Sequence, residues 1–352
     1  MDPRYVAAIL SFSTAALASA CGANEPRAVA PPSPSVATAT PAPTALAPTA
    51  AASSAMAAAS PPPVLSRAID EKEVADATGV EKAEKSPDGV VKASFPRKDV
   101  EVAIDGWKIP PFMGLTSWAA FAPGRQGVAD AMVMGDLVLF EDEVNPIMSK
   151  LLAGGVQVTA LHNHFFYDAP HVFFMHIGGE GKVTDLGKTV RAAMDEVAAI
   201  RKKAPKPSTS FGAPKLPAKS ALDASKLDAA LSTKGLSKDG MYKAVWGRDV
   251  TAACGCPAGK AMGVSTWAAF AGVDDNALVD GDFAVAEAEL QSVLKTLRGG
   301  GIDVVAIHHH MSGEEPRILF LHYWGRGKAA ELAATVKRAL DQTAWSGKGA
   351  PI

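Results

Sequence analysis

Cysteine is almost missing from this chain: 352 residues hold three, Cys21, Cys254 and Cys256. So few cannot build a disulfide framework. Aromatic side chains are also scarce, at 7%. No long basic run occurs and the formal net charge is −2, which argues against nucleic acid and acidic surfaces as partners. There is no Gly-rich phosphate loop, no G-x-S-x-G elbow and no H-E-x-x-H pair, so the usual signatures of nucleotide, serine-hydrolase and metalloprotease chemistry are absent. A Cys-His nucleophile is unsupported as well. What the chain does have is apolar content, 48%, in a length that accommodates about two domains.

It also concentrates histidine. The stretch Ala160-Leu161-His162-Asn163-His164 is closed twelve residues later by His176. The stretch Ala306-Ile307-His308-His309-His310 is closed by His322 at the same distance. Seven of the eight histidines lie in these two places.

The two places belong to an internal repeat. Residues 135–195 align without a gap on 281–341, at an offset of 146, with 22 identities in 61 positions. These include Gly135/Gly281, Asp136/Asp282, Glu141/Glu287, Glu143/Glu289 and three histidines per copy. Upstream, the Trp118-Ala119-Ala120-Phe121 segment matches Trp267-Ala268-Ala269-Phe270, and Arg97 matches Arg248. Repeat unit 1 therefore spans 68–202 and repeat unit 2 spans 221–345, followed by a tail, 346–352. Residues 203–220 carry four prolines and little hydrophobic pattern, as expected of a linker.

Ahead of the repeats, Met1 to Ala20 has the pattern of a signal peptide, Arg4 followed by an apolar run too short to span a bilayer comfortably. It ends Leu17-Ala18-Ser19-Ala20-Cys21, small residues directly before a cysteine. The expectation is a lipidated Cys21 at residues 1–21, with a lipid-anchored cell-envelope location. Cleavage before Cys21 without lipid, giving a secreted protein, fits the same residues. Residues 22–67 are Ala, Pro, Ser and Thr with ten prolines, a composition that cannot offset its ordering entropy and reads as a tether.

Each unit shows the same order of elements: a short helix, several alternating apolar segments, a helix, two strands and a final helix. Asp105-Gly106 is a hairpin signal. Asn145-Pro146 reads as an N-cap with Pro at the first helical position, and Gly154-Gly155 as the stop. The expected fold class is α+β: two tandem copies of a two-layer unit, an antiparallel or mixed sheet with helices on one face, related by a pseudo-twofold axis. Whether the sheets join cannot be read from pattern.

The segments "FPRKDVEV", "SWAAF", "MGDLVLFEDEVNPIM", "GVQVTALHNH" and "FFMHIGGEG", with their second-copy counterparts, resemble the LppY/LpqO-type family of bacterial lipoproteins. The resemblance covers about residues 68–345. It implies a duplicated domain in an exported protein, and no activity comes with it.

Alternate residues of a strand share a face, so His162 and His164 point one way, as do His308 and His310. An even register brings His176 opposite His162, and His322 opposite His308. Three imidazoles then converge in each copy. Imidazole suits Zn, Cu, Ni and Fe, and three protein ligands with an open position is the catalytic-zinc pattern. Glu143 and Glu289 are candidate bases or further ligands if their helix starts lie over the sheet. Three readings follow: a module binding a metal ion or small polar ligand, a metal-dependent hydrolytic enzyme, and an interaction protein whose histidines are structural. The remaining residues are given simpler roles. Asp168 and Glu314 are expected as solvated turn residues, Trp118 and Trp267 as core, and Cys254-Gly255-Cys256 as a turn that oxidises or stays inert.

Overall fold

Within Thr116–Pro123 every second residue is buried, and Ser265–Val273 alternates in the same way. Such a period-two pattern forms strands with one face against a core. A computed structural model of the protein describes residues 63–345. The export segment, Cys21, most of the 22–67 tether and the 346–352 tail lie outside the described residues.

The first copy runs α1 (Glu71–Thr78), β1 (Glu84–Lys85), β2 (Val91–Pro96), β3 (Thr116–Pro123), β4 (Ala131–Phe140), α2 (Glu141–Ala153), β5 (Gln157–His162), β6 (Val172–Gly181) and α3 (Val183–Lys203). The second runs α4 (Ala224–Leu231), β7 (Leu236–Lys238), β8 (Met241–Gly247), β9 (Ser265–Val273), β10 (Asn276–Ala286), α5 (Leu290–Gly299), β11 (Asp303–His308), β12 (Ile318–Gly327) and α6 (Ala329–Leu340). The strands form one 12-stranded sheet in the order β1-β2-β3-β4-β6-β5-β11-β12-β10-β9-β8-β7. Every pairing between these neighbours is antiparallel. The joining question left open by pattern is thereby answered: the sheets of the two copies are continuous.

Residues of both copies share one apolar core, from Val91 and Leu161 to Ile307 and Leu340. The six helices supply its other layer. No helix among the described residues is long and apolar enough to cross a membrane. The opposite face of the sheet is open at its middle and covered near one end of each copy. There Val102, Ile109 and Leu115 pack on Phe140 and Phe174 in the first copy. Val250 and Val264 pack on Ile318 and Phe320 in the second. Asp105-Gly106 makes the expected hairpin, with Ile104 paired to Trp107 and both turn residues at positive φ.

The copies meet at one strand pair, with Leu161 opposite Ile307. Each of these strands carries a register shift just before its histidines, between Val158 and Ala160 and between Val304 and Ala306. The seam registers only this one pair, so backbone groups further along each strand lack a ladder partner across it. Two helix side chains from the other copy satisfy them. Asn145 accepts from Val304 N–H (2.8 Å) and donates to Val304 C=O (3.1 Å). Gln291 accepts from Val158 N–H (3.1 Å) and donates to Val158 C=O (2.8 Å). This corrects the reading of Asn145-Pro146 as a helix start. The helix begins at Glu141, Pro146 lies inside it, and Asn145 is buried at the seam. Three acids in the first turn explain the earlier start, because the helix dipole favours them there.

The linker is held at several points. Ser208 N–H donates to Asp142, Phe211 meets Trp324 edge-on at 4.9 Å, and Arg326 donates to Pro214 C=O. The end of the tether is held too, since Leu65 bridges Arg125 and Ser66 N–H donates to Gly124 C=O.

Replacing Asn145 with Ala strands the Val304 amide and carbonyl away from water. The expected loss is about 1–3 kcal/mol, read as a lower denaturant midpoint at unchanged slope. Adding Gln291→Ala should cost a similar further amount.

Candidate metal centre

The inward side chains Leu161, Met175 and Ile177 belong to the core. Their neighbours His162 and His176 therefore project from the open face. The expected direct pairing of the histidines is corrected: the register sets Ala160 opposite His176 and Phe174 opposite His162, and in the second copy Ala306 opposite His322 and Phe320 opposite His308. The two rings then lean together: His162 Nε2 and His176 Nε2 are 2.9 Å apart, one donating and one accepting. His164 follows the strand end and stacks on Phe174, with ring centroids 3.5 Å apart and planes within 5°. Its centroid is 5.2 Å from that of His162.

The second copy repeats this arrangement. His308 lies 4.8 Å from His322 and 5.0 Å from His310, centroid to centroid. His310 stacks on Phe320 at 3.5 Å. One nitrogen from each of His308, His310 and His322 falls within 4.8 Å of the others, a spacing that could hold a metal ion. Burial lowers the pKa of His164, His308 and His310, and the neighbouring histidines lower it further. Neutral imidazole is the form that ligates metal.

Sequence reasoning missed the next residue outward. Asp136 is the cross-strand partner of His176, and Asp282 that of His322. Asp282 Oδ2 stands 3.9 Å from His322 Nδ1. Burial, with Asp280 nearby, pushes the Asp282 pKa up to about 7. In both aspartates Oδ1 is buried with no hydrogen-bond partner. At 3.9 Å the Asp282 carboxylate faces the His322 ring without a direct hydrogen bond. The signal was available: an acid in mid-strand, identical in both copies, among apolar residues. The glycine before each aspartate has its own reason. A Cβ at Gly135 would lie 2.6 Å from Trp118 O, and one at Gly281 2.3 Å from Tyr323 Oη.

Glu143 and Glu289 are engaged elsewhere. Glu143 is fully buried and takes bonds from Arg97 (2.6 and 3.0 Å) and from Phe140 N–H (2.9 Å). Arg201 Nε stands 2.9 Å from it. Glu289 takes bonds from Arg248, Ala286 N–H and Ala344 N–H. Burial opposes its charge, but these donors outweigh that and hold its pKa below the ordinary value. Both carboxylates close helix starts and neutralise buried arginines.

Two simpler readings are corrected. Asp168 and Glu314 are buried, not solvated. Each accepts from a backbone N–H four residues on, Val172 or Ile318, and so ties the loop after the His-x-His segment to the next strand. Trp118 and Trp267 are not core. Ala119 and Phe121 take the inward positions, so Trp118 faces the open side opposite Asp136, under the Lys92 ammonium at 4.5 Å. Trp267 lies opposite Asp282 under Lys243. A run apolar on both faces hides which side is buried. Cys254 and Cys256 are joined as a disulfide in the turn that corresponds to Asp105-Gly106. His309 accepts from Arg317, outside the triad.

Fold and site together define a duplicated α+β protein with one histidine triad per copy. The chain belongs to the family described as Domain of Unknown Function (DUF1259), whose model matches residues 72–196 and again 225–342. No curated protein matches. Among solved structures, a trimeric bacterial microcompartment shell protein, PduB, is similar over 74% of this chain and 89% of its own, at 10% identity and a TM-score of 0.18. A similarity that low carries no argument about fold or function.

The Asp282 carboxyl supplies a pH test. Its folded pKa lies above the unfolded value, so the native state holds the proton more tightly. Stability is then greatest below about pH 4 and falls as pH rises through about 7. Asp282→Asn removes that dependence. The metal-free variant should melt with the parent near pH 4 and above it at pH 8. Glu143→Gln, by contrast, breaks a buried ion network and should cost about 3–5 kcal/mol of stability while leaving metal affinity of the folded protein unchanged.

Proposed function

We propose that this is an exported, lipid-anchored protein of the cell envelope that binds a divalent transition metal ion at each of its two triads. One observation carries the metal reading. Three imidazoles cluster at the same strand positions in both copies, each with an aspartate opposite the third, and in the second copy one nitrogen from each lies within 4.8 Å of the others. Core packing alone would not require polar rings on an open face twice over. His162, His164 and His176 would hold one ion, and His308, His310 and His322 the other. Zn, Cu, Ni and Fe all suit this donor set. Three protein ligands leave one position on a tetrahedral ion for water or a ligand oxygen.

The binding reading is preferred to the enzymatic one because Glu143 and Glu289, the acids first considered as bases, are already bonded to arginines and backbone. The lipid anchor rests on Leu17 to Cys21 and on the resemblance to bacterial lipoproteins, and the proline-rich tether is consistent with it. The same strand order read from either edge, and the reciprocal Asn145 and Gln291 bonds, support an approximate twofold relation between the copies.

Protein purified without a histidine tag should carry up to two ions per chain by elemental analysis. Adding Zn at a hundredfold excess over Kd should stabilise it by about 2.7 kcal/mol per site. His308→Gln with His310→Gln should reduce the count to one. A chain with no stoichiometric metal, whose melting temperature is unmoved by Zn or Cu, would count decisively against the proposal.

A further inference from the structure

We infer that the two triads form one composite site, holding two ions roughly 10 Å apart for a single anion with two carboxylate-like ends to bridge. The inference rests on the metal reading above and concerns how the two ions are used.

The seam fixes their relation. Leu161 and Ile307 pair across it, and both are buried in the helix-side core. Their flanking residues therefore face the open side. Antiparallel pairing then sets Ala160 across from His308 and His162 across from Ala306. Following the ladder outward, one row across the sheet reads Asp136, His176, Ala160, His308, Phe320. The next reads Phe174, His162, Ala306, His322, Asp282. Each row takes a histidine from both triads, with one alanine between them. Two strand spacings separate those histidines, which is roughly 10 Å.

The alanines matter. They are half-buried and small, and each is the same residue in both copies. A longer side chain at either position would fill the space between the ions. The bulges before them are the devices that aim Ala160 and Ala306 at the open face while Val158 and Val304 stay in the core. Two dications so close repel each other, and an anion between them offsets that repulsion. With about 2 Å for each metal–oxygen bond, the two donor ends should be about 6 Å apart, which describes a medium-length dicarboxylate.

The test uses Cu(II) on the full, tag-free chain, followed by electron paramagnetic resonance. Two coppers per chain with dipolar coupling for a separation near 10 Å are expected, and the coupling should vanish in His308→Gln/His310→Gln. Glutarate should tighten copper binding at least tenfold more than acetate at equal carboxylate concentration, and this advantage should be lost in Ala306→Leu without change in copper count. Two bound coppers without dipolar coupling, or glutarate no better than acetate, would overturn the composite site and leave the separate metal sites standing. No bound copper would overturn both.

Discussion

Everything on the open face depends on one short contact, the antiparallel pairing of Gln157–His162 with Asp303–His308. It joins two six-stranded halves into one sheet and one core. Its registered backbone pairing is a single residue pair, Leu161 with Ile307, too little by itself to hold two halves rigidly. Helix α2 meets β11 through Asn145, and Gln291 at the start of α5 meets β5. Each amide meets both polar groups of one valine, beyond the single registered pair of the seam. The short seam leaves those groups without a ladder, and the helices of the opposite copy satisfy them.

That arrangement explains why the histidines sit where they do. A bulge shifts which residues face out, so His162 and His308 emerge at the seam while Val158 and Val304, four places earlier, remain in the core. The aromatic stack beneath then fixes His164 and His310, which lie beyond the strand ends and have no ladder to position them. Phe174 and Phe320 are in turn locked by the loops that cover the strand ends. The triad is thus held by strand register, seam and loop cap together.

Much of this was legible in the sequence. The offset of 146 gave the repeat, the His-x-His spacing gave a shared face, and the twelve-residue return to the third histidine gave the neighbouring strand. What was hidden depended on which face a segment buries. The Trp118-Ala119-Ala120-Phe121 run is apolar throughout, so period alone could not say that Trp118 looks outward. Asp136 was visible as an identity but not as a site residue, because its importance comes from lying opposite His176, a pairing between strands forty residues apart in sequence. Asn145 misled for a related reason: asparagine before proline has a local meaning, and here a contact with Val304 overrides it.

The same logic separates the carboxylates into two kinds. Glu143 and Glu289 face cations and Asp168 faces a backbone donor at a loop end, each bonded within the protein; Glu314 accepts from Ile318 N–H and leaves its second oxygen buried without a partner. Asp136 and Asp282 each keep a buried oxygen with no hydrogen-bond partner. Leaving such an oxygen unpaired is costly, and a buried acid tends to give up its charge to escape that cost. Asp282 does so, with its pKa near neutrality. On the proposed metal reading, a cation held at the triad would favour the ionised Asp282 carboxylate. The proton on Asp282 and the charge in the triad would then oppose one another, which couples the strand-borne aspartate to whatever the histidines hold.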